Sequence, residues 1–264
     1  MNFYGLFGYP LGHSLSPVIH KIIYDIVGVE AAYKLFEVEA ALLPQAVESM
    51  KILDIAGANV TIPYKKEVMP LLDHISPKAE KLQAVNTIKN RAGILEGYNT
   101  DYDGVIRTFE RHQWEIENQS VYILGTGGAG QAVAHALQDQ GGLITLVSRD
   151  PQTKSDFLVI DYQALEEVQG NILVNTTPVG MPPKIDQSPV SDHVVSQFDV
   201  VFDATYGRVD NKLLKTARSM KKECVNGLEM LIGQAISAVE IWEDISIDDS
   251  VMDDILVHFQ KEGM

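Results

Sequence analysis

Lys65 and Asp101 are the residues from which this sequence could run proton chemistry. Lys65 lies just past "NVTIPY" and Asp101 just past "GYNT". Both sit at the ends of predicted strands, where open α/β sheets place their ligands. Taking a hydride from an alcohol requires a group that accepts the hydroxyl proton, and the reverse reaction requires one that donates it. A lysine can do either if its pKa, about 10.4 when free, is lowered or its ammonium is held in a hydrogen-bond network. A nearby aspartate raises that pKa, but it can orient the ammonium and bind a substrate hydroxyl. On spacing alone, the alternative is a solvated lysine at a helix start. "HSLSP", residues 13–17, offers a second kind of chemistry. Ser14 and Ser16 either hold an anion or serve the following helix, with Ser16 before Pro17 placed as its N-cap. His13 and His20 read as local hydrogen-bonding or surface residues rather than catalysts.

"VYILGTGGAGQAVAHAL" carries Gly125, Gly127 and Gly130 in G-x-G-x-x-G spacing between a predicted strand and a predicted helix. The first glycine permits the turn, the second lets a pyrophosphate approach the backbone, and the third lets helix and strand pack closely. The helix N-terminus then presents free N–H groups to phosphate. An NAD site carries Asp or Glu at the end of the next strand to hold the ribose hydroxyls. Here that strand ends "LVSRD", with Ser148 where the acid belongs and Arg149 after it. A guanidinium suits a ribose 2′-phosphate, so the expected cofactor is NADP. Asp150 is read as the start of the next turn.

The elements that position these residues alternate. "FYGLFGY", "AYKLFEV", "ANVTIP", "AVNTIKN" and "ILEGYNTD" read as strands. Val18, Ile19, Ile22, Ile23, Ile26 and Val27 form one helical stripe that stops at Gly28, a second helix spans Leu42–Leu53, and a third begins near Pro63. Near residue 104 the pattern restarts: a helix at "GVIRTFERH", then strands at "SVYILG", "LITLVS", "NILVNT" and "DVVFDA", then two helical stretches after Gly227. This alternation predicts an α/β protein with mostly parallel pairing. The length of 264 residues allows two domains. A formal charge of −15 argues against nucleic-acid binding. A single cysteine, Cys224, precludes an internal disulfide framework. No signal segment or apolar run of roughly 20 residues stands out, so a cytoplasmic protein without a membrane partner is expected. No metal site is expected.

Taken in order, "SLSP", "GANVTIPYK", "AVNT", "GYNTD", "GTGGAG", "NTTPVGM" and "NGLEMLIGQA" resemble the shikimate dehydrogenase family over nearly the whole chain. The resemblance implies an α/β substrate domain built from both chain ends, 1–103 and 228–264, with an inserted Rossmann-type NADP-binding domain, 104–227. It implies the reversible reduction of 3-dehydroshikimate to shikimate, in aromatic amino-acid biosynthesis. Ser14 and Ser16 would hold the substrate carboxylate; Thr61, Asn86, Asp101 and Gln234 the ring hydroxyls; Lys65 would transfer the proton; Tyr206 would lie near the substrate. Gly125, Thr126, Gly127, Gly128, Ala129, Ser148 and Arg149 would cradle NADP, with Ala204 and Gly227 at its nicotinamide half. The sequence departs from the family pattern at three places. Gln83 replaces a glycine before "AVNT". "YGRVDNKLL" replaces an Asn-Pro turn with a later threonine, which alters the turn near Arg208. The stretch from Pro151 to Ala164 is short for a full helix. Other readings are an NAD-preferring quinate/shikimate dehydrogenase, a catalytically silent NADP-binding regulator, and a folate-linked dehydrogenase of similar layout. A monomer or weak homodimer is expected.

Overall fold

The computed structural model describes residues 1–12, 14–207 and 209–261. The expectations that fall on His13 and on the turn at Arg208 lie outside the described residues. The chain packs as two compact units, one of Met1–Gly104 with Ile232–His258, the other of Val105–Leu231 with the chain end from Phe259.

The first unit holds strands β1 (Asn2–Gly8), β2 (Ala31–Glu37), β3 (Gly57–Val60), β4 (His74–Ile75), β5 (Thr87–Arg91) and β6 (Ile94–Tyr98), in the order β2-β1-β3-β5-β6-β4. β1 runs parallel to both β2 and β3, whereas β5 is antiparallel to β3 and β6. Residues 4–8 of β1 are buried, as an apolar strand flanked on both edges requires. Helix α1 (Ser16–Val27) carries Pro17 in its first turn and ends at Gly28 in the left-handed region, φ 72°. Helices α2 (Leu43–Ile52) and α3 (Pro77–Leu82) follow. Gln83 ends α3 at φ 50°, a conformation that favours glycine; its side chain compensates by donating to the Glu80 carbonyl at 2.7 Å.

The second unit contains strands β7 (Ser120–Leu124), β8 (Leu143–Val147), β9 (Leu158–Ile160), β10 (Ile172–Asn175), β11 (Val200–Asp203) and β12 (Glu223–Asn226). Every pairing in it is parallel, and the order is β12-β11-β10-β7-β8-β9. Counted from the unit's own first strand, this is the doubly wound dinucleotide-binding order, with its switch point between β7 and β10. Helices α5 (Gly128–Asp139), α6 (Tyr162–Leu165), α7 (Asp192–Ser196) and α8 (Lys212–Ser219) lie between the strands. α4 (Asp101–Arg111) and α9 (Leu228–Glu243) span the points where the units divide, and α10 (Ser250–Lys261) ends the described chain.

One expected helix is absent. After Pro63 the chain makes successive turns and closes in a 3-10 turn at Met69–Leu71. Pro70 has no N–H to bond the Lys66 carbonyl as an α-helix requires; Met69 bonds that carbonyl instead, at 3.2 Å. The short connection between β8 and β9 contains turns and no helix, in keeping with the brevity noted from Pro151 onward.

His20 lies in the first unit's aromatic core. It is fully buried, stacked on Tyr33 with centroids 4.1 Å apart and flanked by Tyr24 and Trp242. Neither ring nitrogen has a hydrogen-bond partner among the described residues. Burial pushes its pKa down to about 3, so it is a neutral packing group. Between about pH 6.5 and that value, the unfolded chain binds a proton that the folded chain does not, and stability falls as pH falls. His20→Phe is therefore expected to flatten the acid limb of the stability profile, read as urea midpoints from pH 7 to pH 4. The wild type should lose up to about 1.4 kcal/mol more per pH unit within that window. Parallel profiles would show that His20 is charged in the folded state.

Candidate active site

β3 ends beside Gly8 and hands the chain to Thr61, whose N–H donates to the Phe7 carbonyl at 2.9 Å. The buried Tyr64 donates its hydroxyl to the Val38 carbonyl and fixes the turn. Lys65 follows, its carbonyl accepting from the Val85 N–H at 2.8 Å. This tie brings Lys65 to the strand end that carries Asn86. Its Nζ reaches Asp101 Oδ2 at 2.5 Å, with the two side chains 19% and 11% exposed. Asp101 opens α4, where the helix dipole favours a carboxylate. Asn99 caps this start, accepting from the Asp101 N–H at 3.1 Å. Asn86 donates to Asp101 Oδ1 at 2.9 Å and to Thr100 Oγ1 at 3.1 Å, and accepts from the Thr100 N–H at 2.7 Å. The Thr100 hydroxyl lies 3.5 Å from Gln234 Oε1. Lys65, Asp101, Asn86 and Gln234, from four separate stretches of sequence, thus belong to one hydrogen-bonded cluster. Thr61 lies on the Lys65 turn, and its hydroxyl bonds no other described residue.

Ser14 and Ser16 form a pair of their own, Ser14 Oγ donating to Ser16 Oγ at 3.1 Å. The capping expectation fails. Leu15 is the N-cap of α1, Ser16 is already helical, and no side chain caps this end. Pro17 falls at the second helical position, so the cap moves one residue back. The local contact belongs to Ser14, whose Oγ accepts the Ser16 N–H at 3.3 Å. The Ser16 hydroxyl therefore has no capping duty.

In the second unit the glycine loop joins β7 to α5 at the sheet's switch point. Gly125 has φ +106°, and a Cβ on Gly130 would stand 2.5 Å from the Gly125 carbonyl oxygen, so both positions require glycine. Gly127 and Gly128 face open space, and α5 starts at Gly128 without a side-chain cap. The loop is a cradle with uncapped N–H groups, which fits a pyrophosphate. No acid ends β8. The Ser148 hydroxyl accepts from the Asp150 N–H at 3.1 Å, and Asp150 from the Gln152 N–H at 3.0 Å, so Asp150 starts a turn. Arg149 is exposed and makes no ion pair among the described residues. In a chain with 36 acidic side chains against 21 basic ones, an unpaired guanidinium here is available to a phosphate.

Ala204, Tyr206 and Gly227 lie at the carboxyl ends of β11 and β12, and the Gly227 N–H donates to the Thr205 carbonyl at 2.8 Å. Burial raises the pKa of the Tyr206 phenol. Beneath them Asp203 is fully buried, and desolvation raises its pKa. It accepts from Asn211 at 2.8 Å, the Thr205 N–H at 2.9 Å and Asn175 at 3.1 Å. Asn211 belongs to the stretch "YGRVDNKLL". It caps α8 by accepting the Leu214 N–H at 3.1 Å, and its amide additionally serves Asp203.

Sequence reasoning missed Thr87, Asn99 and Thr100, short polar residues in a buried stretch that tie Asn86 and Asp101 into place.

A sequence profile described as "Shikimate dehydrogenase substrate binding domain" matches residues 6–88. The NADP(+)-dependent shikimate dehydrogenase of Clostridium beijerinckii is 42% identical over 270 aligned residues, with 99% of each chain covered. The crystal structure of shikimate dehydrogenase 1 from Peptoclostridium difficile superposes with a TM-score of 0.91 at 41% identity, covering 100% of both chains. Shikimate 5-dehydrogenase of Thermus thermophilus, solved in complex with NADP(H) and shikimate, gives a TM-score of 0.89 at 27% identity, covering 98% of this chain and 100% of that one.

Proposed function

The chain belongs to the shikimate dehydrogenase family, and we propose how its residues divide that enzyme's work. Its activity is the NADP-dependent interconversion of shikimate and 3-dehydroshikimate. NADP, when bound, supplies the hydride acceptor. Lys65 takes the proton from the reacting ring hydroxyl in oxidation and returns it in reduction. Asp101 holds the Lys65 ammonium at 2.5 Å and offers an oxygen to a ring hydroxyl. Asn86, Thr61 and Gln234 complete the hydroxyl contacts, Ser14 and Ser16 take the carboxylate, and Tyr206 stands by the substrate. Gly125 to Ala129 receive the pyrophosphate; Ser148 and Arg149 hold the ribose 2′-phosphate; Ala204 and Gly227 adjoin the nicotinamide. The substrate domain is 1–103 with 228–264, and the NADP domain is 104–227.

The observation that carries this reading is the partly buried Lys65–Asp101 pair, with Asn86 bonded to the same carboxylate. The test is a steady-state assay of NADP reduction with shikimate. Saturable turnover is expected, and no turnover with shikimate would sink the proposal. Running the assay with NAD and with quinate measures selectivity. Arg149→Ala is expected to raise the KM for NADP about ten- to hundredfold, through loss of a charge-assisted contact, and to leave that for NAD nearly unchanged. Equal effects on both cofactors would show that Arg149 does not read the phosphate.

No helix among the described residues is long and apolar enough to cross a membrane. We assign the protein to the cytoplasm, as a monomer or weak homodimer without a nucleic-acid partner. The net charge of −15 supports the last point.

A further inference from the structure

Tyr33 has no role assigned above, yet its hydroxyl, which also bonds the Ser16 side chain, leads into a chain of side-chain hydrogen bonds that ends on Asp101. Tyr33, on β2, donates to Asn59 Oδ1 at 2.8 Å. Asn59, on β3, cannot be turned round. Its Nδ2 donates to the Asn86 backbone carbonyl at 3.3 Å and to Thr87 Oγ1 at 3.1 Å, and a carbonyl only accepts. Having accepted from Asn59, Thr87 turns its one proton towards Asn86 Oδ1 at 3.1 Å, with Thr100 Oγ1 at the same distance, and both groups belong to the cluster around Asp101. The Thr100 backbone N–H fixes Asn86 Oδ1 at 2.7 Å, so Asn86 Nδ2 must face Asp101 Oδ1, at 2.9 Å. Every proton in the chain points the same way, from Tyr33 towards the carboxylate whose other oxygen holds Lys65.

The middle of this chain is shut off from water. Asn59, Asn86 and Thr87 are 5%, 3% and 0% exposed. In such surroundings hydrogen bonds polarise one another, and a group left without its partner is costly. The Tyr33 proton is what Asn59 Oδ1 accepts, and removing it leaves a buried carbonyl short of that donor. Burial keeps the phenol protonated by raising its pKa above the ordinary value. The ring itself is held by stacking on His20.

We propose that Tyr33 is a positioning residue for the reaction: through Asn59, Thr87 and Asn86 its hydroxyl sets the place of the Asp101 carboxylate, and hence of Lys65. This rests on the reading of Lys65 and Asp101 as the proton-transfer pair.

The test is kinetic, on the full-length enzyme. Tyr33→Phe removes one oxygen and keeps the ring. It is expected to lower kcat for shikimate oxidation about five- to tenfold while leaving the KM for NADP unchanged. Thr87→Val breaks the same chain further along and should lower kcat by a similar factor. The double variant should be no slower than the slower single, because both act along one path. A merely structural Tyr33 would lower the melting temperature and leave kcat within twofold of wild type, which would overturn the proposal. Losses that multiply in the double variant would overturn it as well. A wild-type enzyme inert towards shikimate and NADP would instead overturn the reading on which the proposal rests, whereas an active wild type with an unaltered Tyr33→Phe variant would overturn the proposal alone.

Discussion

Lys65→Ala is expected to lower kcat for shikimate oxidation by about 10²–10⁴-fold and to leave the KM for shikimate within a few-fold of wild type. The split follows from where the contacts lie. Proton transfer develops in the transition state, and its loss appears in kcat. On the proposed assignment the ground state is held by groups that the substitution does not touch, Ser14, Ser16, Thr61, Asn86 and Gln234. Asp101 keeps its bond from Asn86, and its side chain is already 11% exposed beside Lys65, so water can solvate the oxygen that Lys65 leaves. The variant should therefore fold, and the melting temperature checks this. The residues proposed to hold NADP lie in the other unit, and cofactor affinity should be unchanged. Near-normal kcat in the variant would remove Lys65 from the mechanism.

What could be read in the sequence was whatever leaves a local mark. The glycine loop did so because each glycine answers a backbone need within six residues, and Gly125 and Gly130 show that need as a left-handed φ and a carbonyl contact. The strand-end positions of Lys65 and Asp101 were legible because strands, turns and helices alternate in order. Their meeting at 2.5 Å was not, because it depends on pairing across β3, β5 and β6 between residues 36 positions apart. The Tyr33–Asn59 bond is hidden for the same reason: two strands that flank β1 bring those side chains together. The short strands β4 and β9 carry two and three residues, too few for a periodicity to register. Two turns were misread: Pro70 removes a hydrogen bond that a helix continuing from Pro63 would need, and α1 begins one residue earlier than Pro17 at its first position would imply, so that Ser16 is not its cap.

That shift changes what the serines are expected to do. With both replaced by Ala, the KM for shikimate should rise about 10²-fold or more, since each hydrogen bond to a charged group is worth about 1.5–3 kcal/mol. The structural contribution falls on Ser14, whose hydroxyl accepts the Ser16 N–H at 3.3 Å and so steadies the turn before α1. Ser14→Ala should combine a raised KM with a loss of stability of about 0.5–1.5 kcal/mol, the range of an ordinary hydrogen bond. Ser16 caps nothing; its hydroxyl accepts from the Ser14 hydroxyl at 3.1 Å and also bonds the Tyr33 phenol, and neither bond fixes a backbone group. Ser16→Ala should therefore raise the KM for shikimate about tenfold or more with little change in melting temperature, and leave the KM for NADP alone. The single Ser16 variant is the cleaner test, because binding and folding are separated there. If its KM for shikimate equals that of the wild type, Ser16 does not anchor the carboxylate, and the anion-binding role of "HSLSP" would have to rest on Ser14 alone.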